Sequence, residues 1–83
     1  MIVRWAPKAR ADYDSHDGKG RERIIELIND IERSPFRGLG KPEPLKYALT
    51  GWWSRRITEK DRLVYRLSGN PPVLEILQCK YHY

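Results

Sequence analysis

At 83 residues the chain is long enough for one compact domain and too short for two, since a chain of this size buries only about 60% of the surface it exposes when unfolded. Hydrophobic residues make up 40% and charged residues 33%, unlike disordered chains, and 16 Lys and Arg against 11 Asp and Glu leave a charge of +5 that draws nucleic acid or acidic proteins. One cysteine, Cys79, excludes an intrachain disulfide, the histidines fall short of any zinc spacing, and no apolar run suits an export signal or membrane span, so a reducing cytoplasmic setting with no metal or other cofactor is expected.

Ile2, Val3 and Trp5 suggest a short first strand, and Pro7, suited to the first turn of a helix, opens a segment to about Asp14. Ser15 to Gly20 reads as a loop, with His16 in solvent. From Arg21 to Arg33 the apolar residues Ile24, Leu27, Ile28 and Ile31 fall at i, i+3, i+4 and i+7, the stripe of an amphipathic helix. Pro35 ends it, and Gly38, Gly40, Pro42 and Pro44 mark a structured loop. The remainder is predicted to be an antiparallel meander of strands near Leu45–Leu49, Trp52–Thr58, Arg62–Leu67 and Val73–Tyr81. The expected fold class is α+β, with two N-terminal helices packed on one side of an antiparallel sheet and the other face partly free.

Alternation along the second of these strands puts Trp52, Ser54, Arg56 and Thr58 on one face and Trp53, Arg55 and Ile57 on the other. Taken singly, Arg55, Arg56 and Arg62 are solvated charges, and Glu43 and Lys46 are ordinary exposed loop residues. Pro44, however, restricts Glu43 to extended geometry, and the paired prolines fix where its carboxylate points. A histidine beside a chain end is normally uninformative, yet the rings of Tyr81 and Tyr83 can pin His82, which holds or releases a proton near neutrality. Trp53, Ile57, Leu63, Tyr65 and Leu67 are assigned to the core, and Cys79 to a buried small hydrophobe rather than a nucleophile.

The ordered motifs Ser34-Pro35-Phe36, Gly40-Lys41-Pro42-Glu43-Pro44-Leu45-Lys46, Trp53-Ser54-Arg55-Arg56-Ile57-Thr58, Arg62-Leu63-Val64-Tyr65 and Tyr81-His82-Tyr83 resemble the YoeB (Txe/YoeB) toxins. The likeness covers residues 34 to 83 closely and the start more loosely through Trp5, Asp12 and Tyr13. It implies a RelE-like fold, cleavage of messenger RNA in the ribosomal A site, neutralisation by a cognate acidic antitoxin, and a homodimer as a further partner state. By motif, Glu43 matches the family's proposed general base and His82 its general acid. Arg56 and Arg62 match basic residues around the scissile phosphate, Lys46 a further basic contact, and Tyr83 the terminal aromatic. The chain departs from many relatives at residues 14 to 20, which are shorter and contain glycine.

Two other readings compete. One is a non-enzymatic RNA- or protein-binding module on the same fold, because fold does not fix function. The other is a ribosome-independent ribonuclease, for which an exposed Trp52 or Tyr83 would supply a stacking surface for unpaired bases.

Overall fold

A computed structural model describes residues 1–81; His82 and Tyr83, two of the site residues expected from the sequence, lie outside the described residues. Strand β1 (Ile2–Trp5) leads into helices α1 (Pro7–Ser15) and α2 (Gly18–Arg33). A long loop then reaches β2 (Glu43–Pro44), a short 3-10 turn (Tyr47–Leu49), and strands β3 (Trp53–Arg56), β4 (Arg62–Ser68) and β5 (Val73–Gln78). The sheet order is β1-β5-β4-β3-β2.

The α+β class and the helices on one face stand, but the sheet is mixed rather than antiparallel. Strands β3 to β5 form the expected antiparallel meander and β2 adds to it antiparallel, whereas β1 lies parallel to β5, with Ile2 opposite Val73 and Trp5 opposite Ile76. Nothing within β1 encodes this partner: the strand comes first in the chain and sits beside the last, so the pairing is made only when the whole fold closes.

Helix α2 begins three residues earlier than its apolar stripe suggests. The Asp17 side chain accepts the Gly20 N–H at 2.8 Å, an N-cap that draws Gly18 to Gly20 into the helix and shortens the expected loop. His16 is accordingly not a solvent residue: its Nε2 lies 2.6 Å from the Cys79 carbonyl oxygen and ties the joint between the helices to the end of β5. The expected strand over Leu45–Leu49 is also replaced. The Leu45 N–H still donates to the Trp52 carbonyl, but Tyr47 then turns the chain with φ 58° into the 3-10 turn, so no strand runs over Leu45–Leu49.

Directly paired residues share a face of the sheet. Trp53 pairs with Tyr65 and Tyr65 with Ile76, Arg55 pairs with Leu63, and Leu67 pairs with Leu74, which assigns all of them to the helix side. There Leu63, Tyr65, Leu74 and Ile76 pack against Ala9 of α1 and Ile24, Leu27, Ile28 and Ile31 of α2 in one hydrophobic cluster, with Trp53 and Leu67 at its margin. The core assignments from the sequence hold, and among the described residues no helix is long and apolar enough to cross a membrane.

One residue of that face is not apolar. Arg55, expected in solvent, is 0% exposed. Its Nε donates to the Tyr65 hydroxyl (3.2 Å), Nη1 to Asp30 Oδ2 (2.5 Å) and the Leu39 carbonyl (3.1 Å), and Nη2 to the carbonyls of Ser34 (2.6 Å) and Arg37 (3.0 Å). A guanidinium has five N–H groups, and here each has an acceptor, which is what makes burial of the charge tolerable. The loop after α2 is thereby wrapped around a β3 side chain.

The Arg55 guanidinium, followed by the Leu39 N–H, holds the Asp30 carboxyl below the usual carboxylate range. A carboxylate whose folded value is depressed contributes stability above its unfolded value, about 4, and that stability is lost as pH falls through the lower folded value. Asp30→Asn is therefore expected to lower the urea midpoint at pH 7 and to flatten the acid limb of a midpoint-versus-pH curve. Parallel curves for variant and wild type would refute the linkage.

Candidate active site

Three of the residues expected to act on RNA converge on the sheet face opposite the helices. Glu43 of β2 pairs with Ser54 of β3, and Arg56, two positions on, pairs with Arg62 of β4. Glu43, Ser54, Arg56 and Arg62 therefore share one face at one end of the β2-β3-β4 ribbon, with Glu43 diagonal to Arg56. Glu43 and Arg56 are exposed and Arg62 is half-buried. Lys46, also exposed, leaves β2 as the N-terminal flank of the 3-10 turn.

The loop that delivers Glu43 is fixed at its base. The Arg56 N–H donates to the Gly40 carbonyl at 2.6 Å. Gly40 has φ 77°, and a Cβ there would lie 2.9 Å from Leu27 Cδ2 and 3.0 Å from the Arg56 carbonyl, so this close approach of loop and strand requires glycine. Three of the Arg55 bonds, to the carbonyls of Ser34, Arg37 and Leu39, secure the residues before Gly40, and Pro42 and Pro44 stiffen the chain on either side of Glu43.

Arg62 is anchored as well as charged. Its Nη1 donates to the carbonyls of Thr58 (3.0 Å), Glu59 (2.9 Å) and Asp61 (3.3 Å), gripping the β3–β4 turn. The same turn holds Tyr81: Asp61 Oδ1 accepts the Tyr81 N–H at 2.7 Å, and the Arg62 N–H donates to the Tyr81 carbonyl at 3.3 Å. Just upstream, the Cys79 N–H donates to Asp12 Oδ2 at 3.1 Å, while its carbonyl faces His16. Residues 79 to 81 are thus clamped by α1, the helix joint and the β3–β4 turn, so the residue preceding His82 is tied directly to Arg62.

Among the described residues, the non-glycine positions with left-handed backbone are Lys41 (φ 52°), Tyr47 (φ 58°) and Tyr81 (φ 65°). One lies two residues before Glu43, one comes directly after Lys46 and one precedes His82. Such conformations cost about 1–3 kcal/mol each and persist where the surroundings enforce them, characteristically at functional sites. Sequence reasoning missed these turns, because nothing in the residue types of Lys41, Tyr47 and Tyr81 announces backbone strain.

Other candidates fall away. The Cys79 thiol is pushed up to about 12 by burial, with Asp12 adding to the effect, so it stays protonated near neutrality and behaves as the small hydrophobe expected. Trp52 is half-buried, with the Arg66 guanidinium 4.4 Å above its ring, and does not offer an open stacking face. Glu75, held low by the Ser68 hydroxyl and then Arg66, belongs to a charge network over β5 and β4. Among the described residues no group of three or more His, Cys, Asp or Glu is arranged to hold a metal ion.

Residues 5–83 match the family model of the YoeB-like toxin of bacterial type II toxin-antitoxin systems. The chain is 48% identical to Toxin YoeB of Escherichia coli (strain K12) over 86 aligned positions, covering 100% of both. Its fold superposes on a YoeB/ParE toxin from Agrobacterium tumefaciens with a TM-score of 0.96 and 46% identity, again over 100% of both chains. Two Staphylococcus aureus structures, a YoeB dimer and a YoeB-YefM complex, superpose with TM-scores of 0.89 and 0.88 at 40% identity, over 100% of this chain and 98% of theirs. With a family match along nearly its whole length and relatives of this similarity, the chain belongs to the YoeB-like toxins of bacterial type II toxin-antitoxin systems.

Proposed function

We propose that this toxin is a ribosome-dependent endoribonuclease that acts in the cytoplasm and cleaves messenger RNA in the ribosomal A site by side-chain acid and base chemistry. The observation that carries the proposal is the gathering of Glu43, Arg56 and Arg62 on one sheet face, with Tyr81 bonded to Arg62. Glu43 removes the proton from a ribose 2′-OH, whose oxygen attacks the adjacent phosphorus. His82 protonates the departing 5′ oxygen, leaving a 2′,3′-cyclic phosphate and a 5′-OH. Charge accumulates on the non-bridging oxygens, which Arg56 and Arg62 meet with charge-assisted hydrogen bonds; the three carbonyls on Arg62 Nη1 hold its fork still. Lys46 contributes a more mobile charge and Tyr83 an aromatic contact.

The antitoxin in this reading is an acidic, partly disordered chain that orders on a surface carrying net charge +5, in keeping with the YoeB-YefM complex of the Staphylococcus aureus relative. That relative's dimer supports self-association of this chain as well.

The test is single-turnover cleavage of labelled mRNA on programmed ribosomes and of the same RNA free, with end-group mapping and a second message carrying one 2′-deoxyribose at the cut site. Cyclic phosphate ends, formed on the ribosome and abolished by the 2′-deoxy substitution, are expected. Cleavage of the deoxy message would overturn the 2′-OH mechanism. Equal cleavage of free RNA would favour the ribosome-independent reading, and no cleavage the binding module.

A further inference from the structure

Tyr47 combines two features that packing does not explain. Its residue is 92% exposed, and its backbone sits at φ 58°, a conformation that strains any residue with a Cβ. The turn around it is nonetheless firmly built. The Tyr47 carbonyl accepts both the Thr50 N–H (3.0 Å) and the Thr50 hydroxyl (2.8 Å), and the Leu49 N–H donates to the Lys46 carbonyl (3.1 Å). On either side, buried Leu45 and the bond from the Leu45 N–H to the Trp52 carbonyl (2.9 Å) join the turn to the sheet. The backbone is held on all sides while the ring stands in water, where glycine would relieve the strain and a polar side chain would be better solvated.

We propose that Tyr47 is a stacking platform for an unpaired RNA base next to the scissile phosphate. Tyr47 directly succeeds Lys46 and lines one shallow groove with Glu43 and Lys46. An aromatic face beside a cation is what a single-stranded nucleotide requires: the ring takes the base and the ammonium takes the backbone charge. Every base has a π-face, so this contact sets affinity for RNA rather than the identity of the base. The inference rests on the ribonuclease reading above, and it gives the strained turn a purpose.

Stacking on one aromatic ring contributes about 5- to 150-fold in affinity by alanine substitution. The experiment compares wild type with Tyr47→Phe, Tyr47→Ala and Tyr47→Gly. It reads thermal melting, single-turnover cleavage on ribosomes at limiting toxin, and binding of a short single-stranded RNA with 2′-deoxy sugars. Tyr47→Gly is expected to melt above wild type yet bind and cleave about 5- to 150-fold less well, and Tyr47→Phe to stay within about twofold. Cleavage undiminished in Tyr47→Ala retires the platform and leaves the ribonuclease reading intact. A wild type that cuts no message, but whose RNA affinity still falls in Tyr47→Ala, retires the ribonuclease reading and keeps the platform. Tyr47→Gly melting below wild type would assign the ring a structural role and overturn the proposal.

Discussion

Arg55→Ala is expected to remove most of the protein's stability, leaving it marginally folded. The substitution strips a donor from the Asp30 carboxylate, from the Tyr65 hydroxyl and from the carbonyls of Ser34, Arg37 and Leu39. Removing one partner of a buried charge pair costs about 3–5 kcal/mol; here Asp30 keeps the Leu39 N–H and the Tyr65 hydroxyl keeps the Pro35 carbonyl, so most of the loss falls on the loop carbonyls left without their donor. Total stability is about 5–15 kcal/mol for ordinary domains, and a chain of 83 residues belongs near the lower end. Arg55→Lys is not a rescue: an ammonium offers three donors from one point and cannot reach acceptors spread around a planar fork. Urea unfolding followed by far-UV circular dichroism measures both variants. Arg55→Ala with a midpoint near wild type would show that the loop holds itself without the guanidinium.

The effect extends to the candidate site. The carbonyls of Ser34, Arg37 and Leu39 precede Gly40 and Glu43 on one loop, and the adjacent residue, Arg56, binds the Gly40 carbonyl. Consecutive arginines of β3 thus divide the work, one fastening the loop from the helix side and the other available to substrate on the open side. Milder damage to the cluster, as in Asp30→Asn, should therefore reduce cleavage by displacing Glu43 even where the fold survives.

Alternation along β3 is readable in the sequence, and it assigns Arg55 and Arg56 to opposite faces. It does not reveal that the helix-side face holds five acceptors at Arg55, since three of them are backbone carbonyls of a loop that has no periodicity to read. The period of Ile24, Leu27, Ile28 and Ile31 identifies α2 because burial on one side repeats with the helix itself. The parallel partner of β1 is settled by contacts distant in sequence and leaves no local trace. The site divides the same way: Glu43, Arg56 and Arg62 are legible as motif residues, whereas the Asp61 clamp on Tyr81 and the left-handed turns at Lys41 and Tyr47 depend on the closed fold.

His82→Ala and Glu43→Ala are each expected to slow single-turnover cleavage by about 10² to 10⁴, the range for loss of a working general acid or base, while binding to ribosomes persists. Equal losses would not by themselves separate acid from base, but the leaving group can. If the 5′-bridging oxygen at the cut site is replaced by sulfur, the departing thiolate needs no protonation, so the general acid becomes dispensable while the general base does not. The sulfur-bridged message should therefore restore most of the rate in His82→Ala and little of it in Glu43→Ala. Asp61→Asn weakens the acceptor that holds the Tyr81 N–H, one of two backbone clamps on the residue before His82, and should show a smaller loss that the same sulfur substitution also repairs. Rescue of Glu43→Ala instead would exchange the two roles, and failure to rescue His82→Ala would remove proton donation from its account, leaving it to bind or position the phosphate.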